Sequence, residues 1–164
     1  MFLELLRVAA LGWAVVYSAG AAAGTLAGPY VGAVERVVDG DTIAVRVTVW
    51  LDQDLRVLVR VRGIDAPELR GRCTSEKERA ADAAAALGRL VAGGSVVLTE
   101  IEGDKFYGRV VADVVTPEGR DIAAALVQGG FARPYDGSAR QGWCEVGALD
   151  PAEEAELAQV EPAE

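Results

Sequence analysis

From Thr42 to Val61 apolar side chains return at every second position, and this period constrains the fold more than any other feature of the chain. Ile43, Val45, Val47 and Val49 share one face, with Thr42, Ala44, Arg46 and Thr48 on the other. After the polar turn Asp52-Gln53-Asp54, Leu55, Val57, Val59 and Val61 form a second apolar face, opposite Arg56, Leu58, Arg60 and Arg62. A period of two puts alternate residues on opposite sides of a strand, whereas a helix would scatter them around its axis. Residues 41–64 therefore read as a hairpin of two amphipathic strands, with Arg60 off the core and towards a polar surface.

The flanking segments add strands and helices. Val31 to Val38 reads as a preceding strand, broken by the turn dipeptide Asp39-Gly40. Ser75 reads as the N-cap of an alanine-rich helix reaching Val91, with Glu76 and Glu78 in its first turn and Gly93-Gly94 ending it. Val96 to Ile101 is a fourth strand, β-branched but poorly alternating, and Arg109 to Val115 a fifth that closes at Thr116-Pro117-Glu118-Gly119. Asp121 caps a short helix through Val127, and Asp150-Pro151-Ala152-Glu153 carries the signals of a last one. Strands in this order, with a helix after the third, fit an α+β, mainly β fold: a five-stranded OB-like barrel with about three helices.

The 164 residues are 51% hydrophobic, but the N-terminus inflates that figure, since no charged residue occurs from Val8 to Val34. Residues 1–27 read as a signal peptide, with small-residue cleavage sites after Ala21 or Ala23, or as a retained membrane anchor. Gly20, Gly24, Gly28 and Gly32 also give the spacing of a helix-dimer face, though Pro29 is uncomfortable in a spanning helix. Either reading puts residues 28–144, the folded domain, outside the cytoplasm, as a periplasmic or secreted protein or as an anchored one. The net charge of −9 is uneven: residues 1–144 carry 18 acidic and 16 basic groups, and the tail 145–164 seven acidic groups and no basic one. A near-neutral module of this kind implies weak, salt-sensitive capture of polyanions, without base-sequence specificity. Cys73 and Cys144 form an even pair, which in an exported chain favours a disulfide over two buried thiols. A bridge between them joins the loop after Glu68 to the segment after Tyr135.

Chemistry is concentrated in Asp39-Gly40-Asp41-Thr42, Arg60 with Asp65-Ala66-Pro67-Glu68, and Tyr107-Gly108-Arg109. Two aspartates can hold a hard cation, a glutamate can orient or deprotonate water, and two arginines can clamp a phosphate while charge builds on it. Oxygen-only donors on a loop suit calcium better than magnesium or a softer metal. The chain has no histidine, which excludes an imidazole base, a Ser-His-Asp triad and histidine-ligated zinc.

These three motifs, in this order and with a helix between the second and third, resemble the staphylococcal-nuclease (thermonuclease) family from about Val34 to Tyr135. The resemblance implies an OB-fold enzyme that hydrolyses DNA and RNA with calcium and leaves 3′-phosphate ends. It implies Asp41, Asp65 and the Ala66 backbone carbonyl as calcium ligands, Arg60 and Arg109 beside the scissile phosphate, and Glu68 as the group that activates water. The family usually has threonine where Ala66 stands, which costs a hydroxyl and not a ligand. Its Asp-Lys-Tyr-Gly-Arg run appears as Asp104-Lys105-Phe106-Tyr107-Gly108-Arg109, one residue longer, which leaves the roles of Asp104 and Lys105 open. Tyr107 is expected to meet a terminal phosphate or to pack, Tyr135 to stack on a base, and the chain to act as a monomer. The rival readings are a barrel that binds nucleic acid without cutting it and a membrane-tethered interaction module.

Overall fold

A computed structural model describes residues 24–144. Seven strands and two helices follow in the order β1 (Tyr30–Asp39), β2 (Thr42–Trp50), β3 (Gln53–Val61), β4 (Ile64–Asp65), α1 (Thr74–Leu90), β5 (Ser95–Gly103), β6 (Arg109–Val115), α2 (Ile122–Gln128) and β7 (Arg133–Pro134). The five long strands close a barrel in the order β1-β2-β3-β6-β5, and β4 pairs with β7 beside it. All barrel pairings are antiparallel except β3 with β6. This is the expected OB-type barrel. Two helices lie among the described residues, and the third expected helix, at residues 150–153, lies outside them. Pairing starts before β1, because Leu26 and Ile101 exchange backbone hydrogen bonds of 2.9 and 2.8 Å. No described helix is long and apolar enough to cross a membrane.

The hairpin forms for the reason its sequence suggests. Ile43, Val45, Val47, Val59 and Val61 are buried, and they meet Val96, Leu98, Ala112 and Val114 from the rest of the barrel. Each such side chain contributes roughly 1.5–3 kcal/mol on full burial. Val49 and Leu55, expected on the same apolar faces, are half exposed, because they lie at the hairpin tip beyond the end of the core. The turn falls at Leu51-Asp52, ahead of the expected Asp52-Gln53-Asp54, with Asp52 at φ +59° and Trp50 paired to Gln53. Asp is among the few residues with a side chain that tolerate this left-handed conformation.

Helix α1 begins at Thr74 with Cys73 in the N-cap position, two residues ahead of the expected Ser75, and no side chain caps it. Ser75 instead lies 3.3 Å from the Cys73 sulfur. Ala80, Ala83, Ala86 and Leu87 form its buried stripe at helical spacing. Gly40 lies against this stripe: a Cβ there would come within 2.6 Å of the Ala83 Cβ and 2.8 Å of the Ala66 Cβ. Only glycine lets the β1–β2 turn approach the helix so closely. The weak alternation of β5 also has a cause. A register shift between Thr99 and Glu102, with Glu100 at φ +48°, breaks its phase, while Val96 and Leu98 enter the core. Asp121 caps α2 as expected, accepting from the Ala124 amide at 2.9 Å.

Candidate active site

The turn between β1 and β2 sets the first carboxylate. The Asp41 amide donates to Asp39 Oδ1 at 3.1 Å, and the Asp41 carbonyl accepts from the Val61 amide at 2.8 Å. The Asp41 side chain is thereby turned inward, where Thr42 Oγ1 donates to its Oδ1 at 2.8 Å and the Ala66 amide lies 3.4 Å from its Oδ2. Register supplies the cation, since Thr42 pairs with Arg60 across the hairpin. Arg60 reaches Asp41 Oδ2 at 2.7 Å, the Ile64 carbonyl at 3.2 Å and Asp65 Oδ1 at 3.9 Å. The alternation correctly takes Arg60 off the apolar core but not to the surface: it is 9% exposed. A charge can be held there because two buried carboxylates face it.

Asp65 is fixed by the short β4–β7 ladder, in which it pairs with Arg133. Around its carboxylate stand Arg133 at 3.6 Å, Arg140 at 3.0 Å and the Trp143 indole nitrogen at 3.0 Å. The Arg140 contact is ionic without hydrogen-bond alignment, so Oδ1 is buried with no hydrogen bond of its own. Glu68 follows Pro67 on the exposed part of the loop, and Arg140 Nη1 donates to its Oε1. Buried Glu76, from the first turn of α1, accepts from the Arg72 amide at 3.0 Å and lies 3.4 Å from that of Glu68. One helical carboxylate thus holds the loop that carries the catalytic candidates.

Arg109 opens β6, paired with Leu58, while Arg60 pairs with Val111 on the same two strands. Residues two apart share a face, so both arginines look into one cleft of about 870 Å³, lined also by Glu68, Asp104, Phe106 and Arg140. A second hollow of about 550 Å³ adjoins it through Gly63, Tyr135 and Asp136. Asp104 holds Arg109 by an ion pair of 2.5 Å, and Phe106 lies under the guanidinium at 4.6 Å. This gives the lengthened run a role for Asp104. Phe106 lines the cleft, while Tyr107 is fully exposed and outside the lining. Tyr135 lines both hollows, its hydroxyl donating to the Ser138 carbonyl at 2.7 Å.

Electrostatics follow burial. The Asp41 carboxyl is pushed up to about 6, mainly because burial disfavours its charge, with the neighbouring Asp39 adding and Arg60 opposing. Burial would also raise Asp104, but the hydrogen bond and charge of Arg109 outweigh it and hold that carboxyl below its ordinary range. For Arg140, burial opposes the charge, yet the bond to Glu68 and the charges of Asp65, Glu68 and Asp41 raise its pKa further.

The cysteines are joined as Cys73–Cys144. The sequence reading did not single out Arg133, Arg140 or Trp143 as site residues, and their only signal was the Cys73–Cys144 pair, which ties the segment after Tyr135 to the loop after Glu68. The structure brings Asp41, Arg60, Asp65, Ala66, Glu68 and Arg109 to one region, with Tyr135 at its edge and Tyr107 outside it.

A family described as "Staphylococcal nuclease homologue" matches residues 58–155. Two curated proteins, each described as "Uncharacterized endonuclease", from Escherichia coli and Escherichia coli O157:H7, are each 34% identical over 108 residues. The alignments take in 64% of this chain and 61% of each relative, so the chain spans less than two thirds of their length.

Proposed function

The chain belongs to the staphylococcal nuclease family, and from that premise we propose that its cleft hydrolyses phosphodiester bonds of DNA and RNA with calcium, leaving 3′-phosphates. One observation carries the reading: Arg60, Glu68 and Arg109, from motifs far apart in sequence, line a single cleft. A barrel that only binds nucleic acid has no need of a carboxylate in the same cleft as two arginines.

The donor set fits a hard cation. Asp41 and Asp65 are buried carboxylates facing one guanidinium, and Asp65 Oδ1 lacks a hydrogen bond. Asp41, Asp65 and the Ala66 carbonyl would hold calcium, which when bound neutralises charge on a phosphate oxygen. In the reaction Glu68 takes a proton from water as the water oxygen bonds to phosphorus, and the bond to the 5′-oxygen breaks as that oxygen takes up a proton from solvent and leaves as a hydroxyl. Arg60 and Arg109 bind the equatorial oxygens, most strongly when phosphorus is five-coordinate and negative charge is greatest. Held in place by Asp41 and Asp104, the two guanidiniums need little reorganisation at that moment. Tyr135 offers a ring at the cleft edge for an unpaired base. The Cys73–Cys144 bridge and the uncharged run 8–34 support an exported protein, with the domain outside the cytoplasm.

The full chain, made under disulfide-forming conditions, would be incubated with single-stranded DNA and RNA in calcium or in chelator. Calcium-dependent cleavage to 3′-phosphate ends is expected, falling by about 10²-fold or more in Glu68→Gln and Arg109→Ala. A folded, calcium-loaded chain that cuts neither polymer would sink the proposal.

A further inference from the structure

Residues 136–144, after the last strand, form an arm of irregular structure that crosses to the catalytic loop. Arg133 accounts for part of its path. Its guanidinium donates to the Gln141 carbonyl at 2.7 Å and the Gly142 carbonyl at 3.3 Å, and stacks on the Trp143 ring at 3.7 Å. Trp143 then donates to Asp65, and Cys144 is bonded to Cys73, five residues beyond Glu68. Between these anchors lies Arg140, with Nε at 3.0 Å from Asp65 and Nη1 on Glu68.

We propose that the Cys73–Cys144 disulfide latches this arm across the cleft, and that Arg140, delivered by the latch, is a positioning residue that holds Glu68 and Asp65 in their working arrangement. The inference deepens the nuclease reading and rests on it. The geometry explains why both parts are needed. The Arg140 side chain is 42% exposed and that of Glu68 47% exposed. Ion pairs so open to water contribute little by themselves and do not hold an irregular segment in place. The disulfide ties the arm to the loop that carries Glu68, which keeps the guanidinium near the carboxylates at high effective concentration. Glu68, alone among the catalytic candidates, is exposed, and among the described residues Arg140 is what engages its carboxylate. Reducing the bridge would release the arm while leaving the barrel core, to which neither cysteine belongs, intact.

The test compares wild type, Arg140→Gln, Arg140→Lys, the Cys73→Ser/Cys144→Ser pair, and that pair combined with Arg140→Gln, each with its melting temperature recorded. Wild type is also measured after dithiothreitol, whose two thiols give two electrons and two protons to the bridge and close as a ring disulfide. Arg140→Gln is expected to lower kcat about 10- to 100-fold with KM little changed, and Arg140→Lys to recover part of the loss. Opening the latch by mutation or reduction should give the same loss, and adding Arg140→Gln to the cysteine pair should cost nothing more. Reduction should also expose Trp143 to acrylamide, seen as a quenching gain in wild type that is missing in Trp143→Phe. The proposal is overturned if Arg140→Gln stays within about twofold of wild type, if the arginine and cysteine losses multiply, or if reduction leaves both cleavage and Trp143 quenching unchanged. A wild-type chain that does not cut would count against the nuclease reading alone, since the Trp143 quenching still reports whether the latch holds the arm.

Discussion

Replacing Asp41 with asparagine should flatten the pH dependence of the metal-free protein's stability while abolishing its activity. Asp41 is 3% exposed, and burial raises its carboxyl from an ordinary value of 3.8 to about 6 despite the adjacent Arg60. The folded state therefore binds more protons than the unfolded state between pH 4 and pH 6. Stability must fall as pH rises through that window, because unfolding releases the carboxylate to water. At about 1.4 kcal/mol for each pH unit, the rise amounts to about 3 kcal/mol once pH exceeds 6. Asparagine cannot ionise, and it leaves Arg60 facing one carboxylate in place of two; measured against wild type, Asp41→Asn should therefore gain up to about 3 kcal/mol between pH 4 and pH 8 in chelator, roughly 10 °C in melting temperature for a domain of this size. Calcium should oppose that gain, because a bound cation favours the carboxylate and binds only the folded wild type. The assay is urea unfolding of both proteins from pH 4 to pH 8, with chelator and with calcium. A difference between the two proteins that does not change with pH in chelator would refute the reasoning.

Three further outcomes are expected. Arg60→Lys should lower kcat on the order of 10²-fold, because one ammonium cannot span Asp41, the Ile64 carbonyl and Asp65 as the guanidinium does; steady-state cleavage of an oligonucleotide measures it. Gly40→Ala should cost about 1–3 kcal/mol in urea unfolding, since the new methyl meets Ala83 and Ala66 at well under contact distance. Asp121→Ala should cost about 1 kcal/mol by loss of the cap on α2, with cleavage unchanged.

What the sequence made legible was what depends on neighbours along the chain. The hairpin follows from side chains two apart, α2 from a cap three residues from its partner, and the β6 boundaries from Arg109 and the turn at Thr116. Misplacements arose where a local pattern met something distant. Val49 and Leu55 keep the period but run past the core, and Glu100 takes the bulge that shifts the phase of β5. The strand pattern turns Arg60 towards a polar surface and does not show its burial, which depends on Asp65 and on the packing of Ala66. In the site, the family motifs carried Asp41, Arg60, Asp65, Glu68 and Arg109. Arg140 and Trp143 stayed hidden because they meet Glu68 and Asp65 across more than seventy residues, with no spacing rule to connect them.

The parallel pairing of β3 with β6 also sets the point in the chain at which the site can be complete. Asp41, Arg60, Asp65 and Glu68 leave the ribosome first, but Arg109 joins Arg60 only when β6 slots beside β3, and Arg140 follows later still. A chain interrupted before β6 holds every carboxylate of the site and half of its phosphate clamp. On the nuclease reading, the site is therefore assembled by closure of the barrel and not by any one motif.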